Sequence, residues 1–253
     1  MLEPFEFVFW EILKAFALVV VALLAAKAVK SFLGSSRPWA APRLLLYAVI
    51  LGLVTLAAQT LGLDMAAEVY SWASQRNLDR RDYVLAYSNA VRAVDLRPGV
   101  LGYWQLLSRS KFDLRQFESV LRDESALRTL SPRELDDDDL LRLAYCHYFL
   151  GQYGEVISLT RQFIGRNPGY PKSYILQGQS EIGLRQYPEA VRDFMTSLPI
   201  LPTQEDAVEG LAHAYFVSGN TAQAAAVLDA TAHYSFPPLA RDRFRALKSL
   251  YEQ

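Results

Sequence analysis

The sequence predicts an all-α protein in which two apolar helices at the N-terminus precede a solenoid of stacked helix pairs. Two observations support this prediction. Residues 44–63 carry no charged side chain over 20 residues, and proline recurs at Pro98, Pro132, Pro168 and Pro202, with separations of 34, 36 and 34 residues. The uncharged run is typical of a helix that crosses a bilayer core of about 30 Å. The fixed period is typical of a repeat protein.

The first apolar span is predicted to cover residues 8–32. Its uninterrupted centre, residues 15–26, is short for a bilayer, but the flanking apolar residues bring it to spanning length and the lysines after it can reach the headgroups. A cleavable signal peptide is the alternative, and it fits poorly because the preceding segment is acidic instead of basic. Residues 1–63 are therefore predicted to form a transmembrane hairpin with spans at about 8–32 and 44–63.

The basic residues predict an orientation for this hairpin. Lys27, Lys30, Arg37 and Arg43 lie in or beside the connector, whereas the tail before the first span contains no lysine or arginine. By the positive-inside rule the connector faces the cytoplasm and both termini face outward. We therefore expect a multi-pass protein of a bacterial inner membrane whose domain at 64–253 lies on the periplasmic side. Arginines soon after residue 75 weaken the asymmetry, so the cytoplasmic side stays open.

The segment before each recurring proline follows one pattern. An aromatic residue lies fifteen positions before the proline, at Tyr83, Phe117, Tyr153 and Tyr187, and a small or β-branched residue follows three positions later. This spacing resembles the second helix of a tetratricopeptide repeat (TPR). The proline is expected to end that helix, because it cannot continue the hydrogen-bond ladder.

The predicted first helices also resemble those of the TPR family. Trp104, Leu107 and Ser108 in one repeat, and Tyr174 and Gly178 in another, are similar to its aromatic-x-x-Leu-Gly signature. The resemblance implies a TPR α-solenoid of about five helix-turn-helix repeats, which must stack because one helix pair cannot bury its own apolar face. The repeats are predicted at about 66–98, 99–132, 133–168, 169–202 and 203–237, with a C-terminal capping helix at 238–253.

The turn inside each repeat is expected to need a positive φ. Gly151 and Gly219 occupy this position in two repeats, and glycine adopts such a conformation without steric cost. Arg81, Arg115 and Arg185 occupy it in the others. We expect those three turns to be made differently.

The sequence contains no constellation typical of an enzyme. Its three histidines form no HExxH spacing, nucleotide-binding and nucleophile-elbow motifs are absent, and the single cysteine, Cys146, cannot form a disulfide within the chain. The aspartates at 136–139 are interpreted as a capped helix start, with a divalent-cation or basic-partner site as the alternative. A net charge of −1 gives no indication of nucleic-acid binding. We predict a non-enzymatic protein without cofactor or metal.

The concave face of the solenoid, lined by the first helix of each repeat, is the predicted partner-binding groove. The carboxylate clamp of some TPR proteins is not expected, because the groove has one lysine and no asparagine, and an apolar helical or extended partner segment fits better. The alternative is that the chain's own terminal helix fills some of the aromatic positions. The predicted groove residues are Arg109, Phe112, Leu141, Tyr145, Tyr148, Lys172, Ile175, Gln179, Ile182, Glu209, His213 and Phe216.

An anchor joined to a repeat domain without catalytic groups predicts a scaffold or adaptor that supports assembly of a bacterial envelope or secretion complex. In architecture alone the chain resembles membrane-tethered TPR proteins of exopolysaccharide export and of cytochrome c maturation. The expected partners are membrane-complex subunits, which bind through the groove and the transmembrane helices, and the lipid bilayer itself. A chaperone-like holdase for membrane or secreted clients is the alternative.

Overall fold

A computed structural model describes Lys27 and residues 40–131, 134–231 and 234–252. These residues contain α-helices joined by short turns, and no strand occurs among them. The helices are α1 (Ala40–Asp79), α2 (Tyr83–Leu96), α3 (Leu101–Asp113), α4 (Phe117–Leu130), α5 (Asp137–Phe149), α6 (Tyr153–Arg166), α7 (Pro171–Gly183), α8 (Tyr187–Ile200), α9 (Glu205–Val217), α10 (Thr221–Ala230) and α11 (Pro238–Tyr251).

The chain packs as two compact bodies, Met1–Ser110 and Lys111–Gln253, which we term the N-terminal body and the C-terminal body. Their boundary lies inside α3. The predicted boundary between an anchor and a repeat domain at 63/64 stays a prediction.

In the N-terminal body, α1 packs along α2 through small side chains. Ala67 of α1 and Ala90 and Ala93 of α2 are fully buried in one apolar cluster. Ser74 donates a 2.8 Å hydrogen bond from its hydroxyl to the carbonyl oxygen of Ala86 across the pair. Small residues at these crossings let the two backbones approach closely.

The C-terminal body is held together by side chains that reach from one helix pair into the next. Phe194 of α8 is fully buried in a cluster with Ile175 of α7 and Leu211 of α9. Glycines face its ring on both sides: a Cβ atom at Gly178 would lie 3.0 Å from the ring, and one at Gly210 would lie 2.4 Å from it. The two glycines therefore make the space that the phenylalanine fills.

The second helix of four repeats begins at the aromatic residue of the sequence pattern. The helices α2, α4, α6 and α8 start at Tyr83, Phe117, Tyr153 and Tyr187, and each ends two residues before its proline. The intervening residue is forced out of the helical region, because the proline ring clashes with the helical conformation of the residue before it. These observations confirm an all-α, TPR-like arrangement of helix pairs.

The expectation for the arginine turns is wrong. The residues at the turn position all have positive φ, between 57° and 85°, whether they are glycine or arginine. In every turn this residue donates its N–H to the carbonyl three positions back, and the next residue donates to the carbonyl five positions back, over 2.8–3.0 Å. This is the Schellman motif, which satisfies the last carbonyls of the first helix. It occurs at Arg81, Arg115, Gly151, Arg185 and Gly219.

The predicted transmembrane hairpin is not supported by the structure. The first span, residues 8–32, lies outside the described residues apart from Lys27. The second span, residues 44–63, is helical as part of α1. Among the described residues, none of the helices combines the length and the apolar character that crossing a membrane requires.

The turn conformation leads to a prediction about stability. Replacing Arg185 by glycine should stabilise the C-terminal body by roughly 0.5–1 kcal/mol, because glycine removes a left-handed penalty of about 1–2 kcal/mol and adds a smaller backbone entropy cost. The matched change Gly151→Ala should destabilise it by about 1 kcal/mol, since alanine is strained at positive φ. Urea unfolding followed by circular dichroism measures both changes. Lower stability in Arg185→Gly would show that the arginine side chain contributes more than its backbone costs.

The contact of Phe194 with Gly210 leads to a second prediction. Gly210→Ala should destabilise the C-terminal body by roughly 1–3 kcal/mol, because the added methyl overlaps a ring that has no room to move. The loss should shrink when Phe194 is replaced by leucine, so a double-mutant cycle should show coupling between the two positions. Gly165→Ala is the control, since a Cβ atom there meets no neighbour within 4 Å. Equal losses in both backgrounds would refute the proposed overlap.

Candidate protein-binding surface

Three first helices of the C-terminal body, α5, α7 and α9, lie next to one another in that order. Ten of the twelve predicted groove residues lie on them. Lys172 and His213 are exposed, whereas Ile175 is only 5 % exposed and belongs to the core. Arg109 and Phe112 lie on α3, on opposite sides of the boundary between the two bodies. The remaining seven are half-buried: Leu141, Tyr145, Tyr148, Gln179, Ile182, Glu209 and Phe216.

The chain's own C-terminal helix covers part of this predicted groove. The ring of Phe216 on α9 stacks on Tyr251 of α11, with centroids 4.2 Å apart and an angle of 17° between the ring planes. Glu209 accepts a 2.9 Å hydrogen bond from Nε of Arg243. For the fifth repeat the alternative stated from sequence therefore holds, and α11 fills the aromatic position there. Apart from the exposed His213 on α9, the accessible groove residues of the C-terminal body lie on α5 and α7.

A run of six aromatic side chains in ring contact lies beside the groove residues of α5. Neighbouring ring centroids in this aromatic run are 4.5–6.4 Å apart, distances at which aromatic pairs attract. Phe149 stacks on Phe117 at 4.5 Å and stays 53 % exposed. The members of the aromatic run are Phe112, Phe117, Tyr145, Tyr148, Phe149 and Tyr153.

Sequence reasoning selected half of the aromatic run as groove residues and missed Phe149. Phe149 is the last residue of α5, directly after Tyr148 and one turn beyond Tyr145, so it lies at the edge of the groove. The signal that could have revealed it is local. Because Phe149 ends α5, no further turn of that helix follows it to cover the ring.

One exposed carboxylate acts on two tyrosines of this surface. Burial raises the pKa of the Tyr145 hydroxyl, and the nearby Tyr170 and Asp206 raise it further. Burial also raises the pKa of Tyr148, with smaller contributions from Tyr153 and Asp206. Asp206 lies in the first turn of α9, two repeats beyond these tyrosines. The charge of a residue on α9 therefore influences the pKa of two tyrosines on α5. Both tyrosines are protonated donors at neutral pH, beside a negative charge.

The histidine and the cysteine of α5 have structural environments. His147 contacts Gln152 through Nδ1 at 2.6 Å and Glu124 through Nε2 at 3.8 Å. The bond to Glu124 raises the pKa of His147, and the same contact lowers the pKa of Glu124. Burial raises the pKa of the Cys146 thiol to about 12, so it is protonated and weakly nucleophilic at neutral pH.

The aspartate run at 136–139 forms a helix start, as interpreted from sequence. The Asp136 side chain accepts a 2.7 Å hydrogen bond from the backbone N–H of Asp139, which places it as the N-cap of α5. Asp139 pairs with Arg142, and Asp137 accepts a 2.7 Å hydrogen bond from the side-chain amide of Asn167. Within the described residues, no three metal-ligating side chains come together.

A separate apolar pocket of about 510 Å³ lies between α8, α9 and α10. The lining residues are Met195, Leu198, Pro199, Pro202, Val208, Leu211, Val227, Ala230, Thr231 and Tyr234.

No protein-family model matches this chain, and no curated protein matches it. Solved structures do resemble it. MamA 41-end from Desulfovibrio magneticus RS-1 has a TM-score of 0.62 at 14 % identity, covering 66 % of this chain and 94 % of that chain. A further crystal structure of MamA has a TM-score of 0.60 at 13 % identity, covering 74 % and 96 %. YrrB, described as a TPR protein with an unusual peptide-binding site, has a TM-score of 0.57 at 16 % identity, covering 63 % and 81 %.

At these identities the similarity shows the fold, which is all-helical and TPR-like.

Proposed function

We propose that this protein is a non-enzymatic scaffold that binds partner proteins through the groove residues and the aromatic run of its C-terminal body. The observation that supports this best is the aromatic run itself. Six rings in mutual contact stabilise one another, yet Phe149 leaves half of its surface in water. Aromatic side chains in such settings are typical anchors of protein interfaces. A TPR-like relative in fold, YrrB, is described as having a peptide-binding site.

The charges of the surface indicate the chemistry of the partner. Asp206 is exposed, lies near Tyr145 and Tyr148, and forms no ion pair with the residues that the structure describes. A basic side chain of a partner would gain both the carboxylate charge and the negative faces of the tyrosine rings. We infer that the partner presents an apolar segment that carries a lysine or arginine. A free C-terminal carboxylate suits this surface poorly, since Lys172 is the only basic groove residue of the C-terminal body.

We also propose that residues 1–63 anchor the protein in a bacterial inner membrane, with the C-terminal body on the periplasmic side. The support is the uncharged run at 44–63 and the exposure of four of its apolar side chains, Val49, Leu53, Leu56 and Leu63, which is 47–61 %. The uncharged run ends at Asp64, which pairs with Arg97, and one turn later Glu68 accepts a 2.6 Å hydrogen bond from the Tyr103 hydroxyl. We infer that the helix leaves the lipid by residue 64, because charged side chains are costly inside a bilayer.

An anchored scaffold of this kind would support assembly of an envelope or secretion complex from membrane subunits. The competing function is a holdase for membrane or secreted clients, which would use the same aromatic run without selecting a sequence. The two functions differ in specificity, because a scaffold recognises one motif and a holdase binds many apolar segments.

A peptide array probed with the full chain in mild detergent tests the binding function. We expect one narrow motif that combines apolar residues with a lysine or arginine. Phe149→Ala should weaken binding at least tenfold by removing the exposed anchor, and Asp206→Asn should remove the preference for a basic residue. Leu250→Ser is the control, since this side chain is 56 % exposed on α11, away from the groove residues of α5 and α7. Broad binding to apolar peptides would favour the holdase, and binding unaffected by either variant would refute the proposal.

Membrane fractionation after an alkaline wash tests the anchor. The full chain should stay with the membranes, and Leu53→Lys with Leu56→Lys should release it or reduce its insertion, because each lysine near a bilayer centre costs about 2.5–3.5 kcal/mol. Leu239→Lys on α11 is the control and should change nothing. A fluorescent reporter that matures only in the cytoplasm, fused after Gln253, should stay dark. Fluorescence would place the C-terminal body on the cytoplasmic side.

A further inference from the structure

Two carboxyl groups, one buried and one half-buried, meet where α7 packs on α8. Glu181 of α7 is only 2 % exposed and shares a hydrogen bond with Asp193 of α8. Asp193 also accepts a 2.7 Å hydrogen bond from Nε2 of Gln177, whose Oε1 accepts a 2.9 Å bond from the hydroxyl of Thr160 on α6. The second oxygen of Glu181, Oε2, is buried and has no hydrogen-bond partner in the part of the chain that the structure describes.

This arrangement holds one proton between the two acids. Two carboxylates at hydrogen-bond distance repel strongly when both are ionised, and burial increases the repulsion. A hydrogen bond between them therefore requires that one be protonated. The Gln177 amide donates to Asp193, which favours the ionised form there and assigns the proton to Glu181. An ionised Glu181 would also leave a charged oxygen, Oε2, buried without a partner, which is far more costly than a neutral one.

The surrounding charges do not neutralise the pair. Arg161 of α6 favours the ionised forms of both acids, and Arg192 of α8 favours that of Asp193. Glu189 of α8 opposes ionisation of Glu181, and it also accepts a 2.9 Å hydrogen bond from Arg192, which draws that cation toward the surface. Burial is the largest influence on Glu181, followed by the charge of Asp193, and together they raise its pKa to about 8.

We propose that Glu181 and Asp193 form a proton-sharing acid pair that fastens α7 to α8, and that the C-terminal body loosens when this proton is lost at alkaline pH. The same helix, α7, carries the groove residues Lys172, Gln179 and Ile182, so loss of the proton acts on the helix that supports the candidate surface. The inference rests on the geometry of the pair and stands whether or not that surface binds a partner.

The direction of the pH dependence follows from linkage. The pKa of Glu181 is higher in the folded chain than its ordinary value of 4.5, so folding takes up protons between the two values. The stability that the protonated pair contributes is fully present below about pH 4.5 and declines as the pH rises. It is lost once the pH passes the folded pKa of about 8. This direction is opposite to that of a carboxylate in an ordinary ion pair.

Thermal unfolding of the full chain and of Glu181→Gln across pH 5 to 9 tests the proposal. Glutamine has the shape of the protonated acid and cannot ionise, so the variant should melt near the wild type at pH 5. It should melt higher at pH 9, where we expect a difference of roughly 5–10 °C. Glu118→Gln is the control, since this side chain is exposed on α4 and should leave the pH profile parallel to that of the wild type.

Two further measurements keep the test decisive if Glu181→Gln folds poorly. Asp193→Asn removes the neighbouring charge and should also flatten the decline between pH 5 and pH 9. Infrared spectroscopy of the wild type at pH 7 should show the carbonyl band of a buried protonated carboxylic acid, and this band should disappear in Glu181→Gln. No such band in the wild type, or a decline equally steep in all variants, would overturn the proposal.

Discussion

The constraint on which the structure depends is that a pair of short helices cannot hide its own apolar face. Phe194 shows how the C-terminal body meets this constraint. Its ring lies between glycines of two successive first helices, α7 and α9, so the side chain of one repeat completes the packing of the next. Stability in such a protein depends on the contacts between neighbouring repeats, and each repeat needs at least one neighbour to stay folded.

Not every contact between repeats is apolar. Glu124 meets His147 between α4 and α5, and Thr160 meets Gln177 between α6 and α7, where an apolar pair would have served packing alone. Buried polar groups contribute little net stability but are costly to leave unpaired. They therefore determine which repeats can pack against each other. These two interfaces therefore have different polar contacts, and of the two only the contact between Glu124 and His147 contains groups that titrate.

The sequence predicted the helices well because their ends depend on local chemistry. Tyr83, Phe117, Tyr153 and Tyr187 begin their helices as the pattern required, and the prolines end them. The arginine turns were mispredicted because local preference was overruled. A left-handed arginine costs about 1–2 kcal/mol, which two Schellman hydrogen bonds and the packing of both flanking helices outweigh. Sequence alone shows the preference of a residue but not the strength of its surroundings.

The candidate site was harder to predict for the same reason. The period of the helix identified Tyr145 and Tyr148, but it could not show that Ile175 is buried between its own repeat and the next or that Phe216 is covered by α11. The acid pair was not visible either, because Glu181 and Asp193 lie twelve positions apart and meet only when α7 packs on α8. Whether a side chain is buried, and which side chain it contacts, depends on how the repeats pack together. Neither property can be read from the sequence of one repeat.

The contrast between Phe216 and Phe149 bears on where a partner binds. Both aromatic residues lie near the end of a first helix, and the chain covers Phe216 with Tyr251 at 4.2 Å while Phe149 stays half exposed. Stacking on Phe117 lowers the cost of that exposure without removing it. In the fifth repeat, α11 covers the ring at this position. The third repeat leaves its ring open, and apolar surface retained in this way is typical of a surface that an external partner covers.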